Sequence, residues 1–183
     1  MRERYCALFG ILGPLIAIIF IVASILLSPW FSWGSNALSD LGHSVTSDVA
    51  PFFNFGLLLS GFFLIFYSIT SFRIHAKYTS CFLLLAGLTL QLVATFDEVY
   101  GSFHSKVSVL FFAALGLASI SYIIEKRSVL AVAALVIGFV SWILYGLEVY
   151  TAGIAVPEAV SSMATASWVV LAALRSYFTK STK

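Results

Sequence analysis

The arrangement of charged residues around six apolar segments constrains this chain more than any other feature of its sequence. Each segment lacks Asp, Glu, Lys and Arg; the segments are residues 7–27, 49–72, 78–96, 107–124, 128–147 and 159–174. A helix needs about 20 mainly apolar residues to cross roughly 30 Å of hydrocarbon. The sixth segment is short by this measure, but a start near Pro157 with the Arg175 side chain reaching the interface would lengthen it.

The predicted fold is therefore an all-α membrane protein, a bundle of six transmembrane helices forming one domain over residues 1–183. The spans are expected at about residues 6–28, 50–72, 78–97, 104–124, 128–149 and 156–177. Two connections, at residues 73–77 and 125–127, are short enough to predict antiparallel hairpins of spans two with three and four with five.

Basic and acidic residues fall on opposite sides of these six segments. Nine of the ten basic residues share one side: Arg2, Arg4, Arg73, Lys77, Lys126, Arg127, Arg175, Lys180 and Lys183. Six of the eight acids share the other side with Lys106: Asp40, Asp48, Asp97, Glu98, Glu148 and Glu158. Lys and Arg collect in short cytoplasmic loops. We therefore expect a multi-pass protein of the cell membrane with both termini in the cytoplasm.

Composition supports a lipid environment and argues against nucleic acid as a partner. Hydrophobic residues make up 61% of the chain, outside the range of soluble domains. The formal net charge is only +2, and the basic residues are spread over four cytoplasmic sites with no patch. Membrane lipids are the expected partners. The sequence leaves the oligomeric state and any cofactor open.

The first outer loop predicts a short interfacial helix. Trp30 and Trp33 suit the headgroup region. Ser35 or Asn36 could cap a helix that stops at Gly42.

This helix is expected to act as an ordered lid over the outer end of the bundle. Leu38 and Leu41 would lie on span two, while Asp40 and His43 would point toward His104. Asn54, one turn inside span two, should find its hydrogen-bond partner in this loop, because an unpaired amide at that depth is costly.

Polar residues of the outer loops and helix ends are the candidate ligand-binding residues. They are Asn36, Ser39, Asp40, His43, Asn54, Asp97, Glu98, His104, Lys106 and Glu148. Asp97 directly follows an apolar run, and an ionisable group at membrane depth is a functional candidate. We expect Asp97 to lie within reach of His104 across the short turn between spans three and four.

Three functional interpretations compete, and the leading one is non-covalent binding of a lipid headgroup or another small ligand in an outward-facing polar cavity. It rests on the lack of a recognisable nucleophile–base–orienter pattern. The second is a membrane-embedded lipid hydrolase or transferase, with catalytic candidates Ser39, Asp40, His43, Asp97 and His104. The third is a structural helix bundle or an adaptor for a partner protein.

The second interpretation includes a metal-dependent form of the enzyme. Imidazoles together with carboxylates suit zinc, and His43, Asp97 and His104 are the candidate ligands, with Asp40 and Glu98 nearby.

Three short elements resemble a known family. The first is Leu38-Ser39-x-Leu41-Gly42, the second includes Asn54, Gly56 and Gly61, and the third runs from Gly101 to His104. Together they are similar to the small six-helix membrane proteins grouped as domain of unknown function 998. That family is distantly similar to the Frag1/DRAM/Sfk1 group, which is linked to lipid and membrane organisation. The resemblance implies a six-helix architecture and an outer polar site built on Ser39, Asp40, Asn54 and His104. It implies no reaction.

Overall fold

The computed structural model describes residues 2–178, with side chains from Arg4 onward. The predicted topology anchors Lys180 and Lys183 lie outside the described residues. Within residues 2–178 all regular secondary structure is helical, and no strand is present. The α-helices are α1 (Arg2–Cys6), α2 (Phe9–Leu26), α3 (Ala50–Tyr67), α4 (Arg73–His75), α5 (Lys77–Thr95), α6 (Ser102–Lys126), α7 (Val129–Gly146) and α8 (Ala155–Phe178). A π-helical segment, Ser68–Phe72, joins α3 to α4, and two 3₁₀ turns lie at Ser39–Gly42 and Glu98–Tyr100.

Six helical stretches are long and apolar enough to cross a membrane, which confirms the predicted number of spans. They are Arg4–Leu26, Ala50–His75, Lys77–Thr95, Ser102–Lys126, Val129–Gly146 and Ala155–Phe178. The connections 27–49, 96–101 and 147–154 lie at one end of the bundle, which we call the acidic end. The opposite end, which we call the terminal end, holds the two tight hairpin turns.

The crossing of α3 and α5 depends on two glycines. A Cβ atom added to Gly61 would lie 2.7 Å from the Gly87 carbonyl oxygen, and one added to Gly87 would lie 3.0 Å from the Gly61 carbonyl oxygen. Both distances are too short for a side chain, so only glycine allows these backbones to touch. Small residues at such crossings are common in membrane proteins, because lipid provides no hydrophobic drive for helices to associate.

Buried side chains form two clusters, one at each end of the bundle. The cluster at the terminal end centres on Trp168, which stacks on Tyr122 and donates its indole N–H to the Ser119 hydroxyl at 3.1 Å. At the acidic end, the cluster combines Leu38 and Leu41 of the first loop with residues of α3, α5, α6 and α8. The first loop is therefore part of the packed interior.

Candidate functional site

The first loop lies on the acidic end of the bundle as an ordered lid. Leu38 and Leu41 are 8% and 0% exposed, and they pack in one cluster with Phe53 and Leu57 of α3. The Asn54 side-chain amide donates to the Gly42 carbonyl at 2.8 Å. The predicted contact of the two leucines with span two and the predicted partner of Asn54 are both confirmed.

Backbone hydrogen bonds attach the same loop to the connection between α7 and α8. The N–H of Gly153 donates to the Trp33 carbonyl at 2.8 Å, and the N–H of Ala155 donates to the Asn36 carbonyl at 3.0 Å. A Cβ atom on Gly153 would lie only 2.4 Å from the Asn36 carbonyl oxygen. The loop is thus held between α3 on one side and the start of α8 on the other.

Glu158 in the first turn of α8 completes this attachment. Its side chain is buried, and its Oε2 atom accepts the backbone N–H of Leu38 at 2.8 Å. The 3₁₀ turn begins at Ser39, with no side-chain cap from its own loop. The predicted cap by Ser35 or Asn36 is therefore wrong, and Glu158 was missing from the candidate residues. Its position at the start of an apolar span was the signal that could have identified it.

Glu98 and His104 form the centre of a second polar group at the acidic end. His104 Nε2 lies 3.3 Å from Glu98 Oε1, and the Ser39 hydroxyl donates to the same carboxylate oxygen. His104 Nδ1 lies 2.7 Å from the Phe96 carbonyl oxygen. Because a carbonyl can only accept, Nδ1 carries a proton. The hydrogen bond with His104 holds the pKa of the Glu98 carboxyl below its ordinary value, assisted by Ser39 and opposed by partial burial.

Asp97 has a different role from the one expected. Its two carboxylate oxygens accept the backbone N–H groups of Val99, at 3.0 Å, and of Ser44, at 3.2 Å. The acid that reaches His104 is the neighbouring Glu98, so the predicted pairing of Asp97 with His104 is wrong. Asp97 caps the turn at Glu98–Tyr100 and ties it to the first loop.

The remaining candidates also differ from expectation. Asp40 accepts from the Asn36 side-chain amide at 2.8 Å and from the Ala37 N–H at 2.9 Å, so it closes its own loop. The first-loop residue that bonds Glu98 is Ser39. Asp40 and His43 do not bond it. His43 Nδ1 accepts only a local N–H, from Val45 at 3.3 Å.

Lys106 and Glu148 are exposed and take no part in the hydrogen bonds described above. Within the described residues, no group of three or more His, Cys, Asp and Glu side chains is arranged to hold a metal ion. The metal-dependent interpretation gains no support from this geometry. Asn54, Asp97 and Glu158 instead bond backbone groups of the first loop and hold it in place.

An apolar cavity of about 270 Å³ lies beneath that loop. Its walls come from α2, α3, α5, α6 and α8, and Trp33 and Leu38 of the first loop form its roof. Deep lining residues such as Leu83 and Val169 are 0% and 2% exposed. At the rim, Val22 of α2 is 48% exposed and Met163 of α8 is 58% exposed. The cavity therefore runs from the core to the lateral surface of the bundle, between α2 and α8.

Pro14 lies inside α2 and lines the same cavity. A proline within a helix lacks the N–H needed for the ladder and bends the helix. The position of α2 that cannot donate a backbone hydrogen bond therefore lies in the cavity wall.

These features define a class of protein: a six-span helical membrane protein whose first loop covers an apolar cavity that opens between two spans. The family model described as Protein of unknown function (DUF998) matches residues 11–175, so the chain belongs to that family. No curated protein and no solved structure matches the chain. The more distant similarity to the Frag1/DRAM/Sfk1 group stays a prediction.

Proposed function

We propose that this protein binds a membrane lipid, with an acyl chain of the lipid in the cavity between α2 and α8. The observation that carries the proposal is the cavity itself, which is lined almost wholly by apolar side chains and opens laterally. An apolar cavity of about 150 Å³ is enough to bind benzene. At about 270 Å³ this cavity has room for a segment of an alkyl chain.

The location of the rim favours a lipid over a water-soluble ligand. Val22 and Met163 lie about 6 Å and 12 Å below the acidic ends of their helices, at a rise of about 1.5 Å per residue. Lipid chains are the medium at that depth in a bilayer. Acyl-chain atoms that fill this space would make van der Waals contacts with the apolar lining.

This proposal changes the expected site from a polar cavity for a headgroup to an apolar cavity for a chain. The polar residues Asp40, Asp97, Glu98 and Glu158 are occupied in holding the first loop. The headgroup would lie above the rim, at the level of Trp33, because indole rings suit the interface.

The hydrolase alternative has one geometric feature in its favour. The Ser108 hydroxyl lies 3.2 Å from His104 Nε2, as in a serine–histidine pair. However, Glu98 Oε1 lies 3.3 Å from the same nitrogen and favours a proton there, which would stop His104 from acting as a base. Binding is therefore the better supported function.

We also propose that the protein resides in the cell membrane with its acidic end outside and both termini in the cytoplasm, as the positive charges indicate. Val45 is 76% exposed at the acidic end, whereas Ser47 is buried and bonded to the Leu41 carbonyl. In a variant without Cys6 and Cys81, a membrane-impermeant thiol reagent on intact cells should label Val45→Cys and miss Lys126→Cys. The reverse pattern would overturn this orientation.

The binding proposal is tested by filling the cavity. Ala166 lines it from α8, whereas Ala133 of α7 is exposed on the bundle surface and is not part of the lining. Protein purified in mild detergent is analysed by native mass spectrometry for retained lipid. We expect Ala166→Phe to lose most of the lipid that wild type and Ala133→Phe retain. Equal retention in all three proteins, or none in wild type, would contradict the proposal.

A further inference from the structure

Two hydroxyl groups deep in the cavity have no hydrogen-bond partner in the described part of the chain. They belong to Ser60 of α3 and Thr165 of α8, which are 3% and 7% exposed and both line the cavity. Several buried hydroxyls in the spans donate to a carbonyl one turn earlier, as Ser68 and Ser119 do at 2.7 Å and 3.0 Å, whereas the buried hydroxyls of Ser24 and Tyr67 have no partner in the described residues. Ser60 and Thr165 differ from Ser24 and Tyr67 in that they line the cavity, where a bound molecule can contact them.

The two groups lie at the same depth on walls formed by different helices. Ser60 and Thr165 each lie about 15 Å below the acidic end of their helix, at about 1.5 Å per residue. That depth is about half of the hydrocarbon thickness of a bilayer. Thr165 also lines a second, smaller cavity of about 120 Å³.

Burying a hydroxyl group without a partner is unfavourable, and a plain acyl chain would leave both hydroxyls unpaired. The cavity lining contains no ionisable side chain, so a charged group would have no counter-charge there. A neutral oxygen on the chain at this depth would supply a hydrogen-bond partner without needing a counter-charge.

We propose that the bound lipid belongs to a particular class, in which the chain carries an uncharged oxygen, as a hydroxyl or keto group, near its middle. This inference rests on the proposed function and adds which lipids the cavity prefers. Ser60 and Thr165 would hydrogen-bond that oxygen, while the leucines of the cavity contact the alkyl segments on either side.

The test is a competition between two probes that differ only in this oxygen. The probes are stearoyl lysophosphatidylcholine and the same lipid with a hydroxyl near the middle of its acyl chain. Native mass spectrometry of the full-length protein, after incubation with equal amounts of both, gives the ratio bound. One net hydrogen bond corresponds to a preference of about two- to tenfold for the hydroxylated probe in wild type, and a second bond would increase it.

The double variant Ser60→Ala/Thr165→Val should bind both probes equally, since it keeps the size of the side chains and removes the hydroxyls. Ser167→Ala is the matched control, because this exposed α8 hydroxyl bonds the Ala164 carbonyl and is not part of the lining. It should keep the wild-type preference.

Three failures are distinguishable. Equal binding of both probes by wild type, with binding lost in Ala166→Phe, would overturn the selectivity and leave the lipid-binding function standing. Binding of neither probe would overturn both proposals. A preference for the hydroxylated probe that survives in the double variant would overturn the assignment to Ser60 and Thr165.

Discussion

Replacing Asn54 with leucine should loosen the first loop without disturbing the helices beneath it. The Asn54 amide is the donor to the Gly42 carbonyl, and Gly42 is buried against α3. Leucine removes this donor and leaves the carbonyl without a partner. An unsatisfied buried backbone group costs about 1–3 kcal/mol. Because the bond exists only when the loop is closed, that cost falls on the closed state.

The measurement is amide hydrogen exchange over residues 36–47. Several amides of this segment are bonded only within the closed loop, including those of His43 and Ser47, which donate to the Asp40 and His43 carbonyls. A cost of about 1–3 kcal/mol to the closed state makes opening, and hence exchange, roughly 5- to 150-fold faster. Peptides from α5 and α6 should exchange as in wild type.

Gln91→Leu is the matched control for this experiment. Gln91 of α5 donates its side-chain amide to the Leu58 carbonyl of α3 at 3.2 Å, so the substitution removes the same kind of bond outside the loop. Loop exchange should stay at the wild-type rate in this variant. Unchanged loop exchange in Asn54→Leu would show that this bond does not hold the loop closed, and the lid would lose its main attachment to α3.

Three further predictions concern stability. Glu158→Gln keeps an oxygen acceptor for the Leu38 N–H and should leave the thermal midpoint near that of wild type. Glu158→Leu removes the acceptor and should lower the free energy of unfolding by about 1–3 kcal/mol. Equal thermal midpoints in the two variants would contradict the role of that bond. Gly61→Ala should lower the free energy of unfolding by about 1–3 kcal/mol, because the new methyl group clashes with α5. Gly116 has open space around it, so Gly116→Ala should leave the free energy of unfolding unchanged or raise it by up to about 1 kcal/mol in the same assay. Glu98 has a lowered pKa in the folded protein, so its contribution to stability is present above the ordinary Glu pKa and is lost as pH falls through the pKa of the folded state. The thermal midpoint of Glu98→Gln should therefore lack this fall in stability at acidic pH. An identical dependence of the midpoint on pH in both proteins would refute the prediction.

The number of spans and the contact of the first loop with span two could be predicted from sequence, for the same physical reason. Lipid is a uniform apolar medium, so apolar length alone determines whether a segment can cross it. A polar side chain in that medium must find a partner nearby in the chain or in space. Asn54 lies one turn inside its span, and the adjacent loop was the nearest source of a carbonyl. Both inferences required only local composition.

The identity of the polar partners depended on tertiary structure. Asp97 and Glu98 are neighbours with similar chemistry, but Asp97 has extended backbone at the start of the 3₁₀ turn. The Asp97 carboxylate caps that turn and accepts the N–H groups of Val99 and Ser44, whereas the Glu98 carboxylate reaches His104. Glu158 and Leu38 lie 120 positions apart, and only the packing of α8 against the first loop brings them together.

The cavity likewise could not be predicted from sequence, because it is a volume that five helices leave unfilled. Apolar patterning predicts that a helix is buried or faces lipid, but it does not predict how closely neighbouring helices pack. Gly61 and Gly87 bring α3 and α5 into close backbone contact, whereas Val22 of α2 and Met163 of α8 line the rim of an unfilled volume. The sequence alone therefore determined the transmembrane architecture, and the crossing of the helices decided where a ligand could bind.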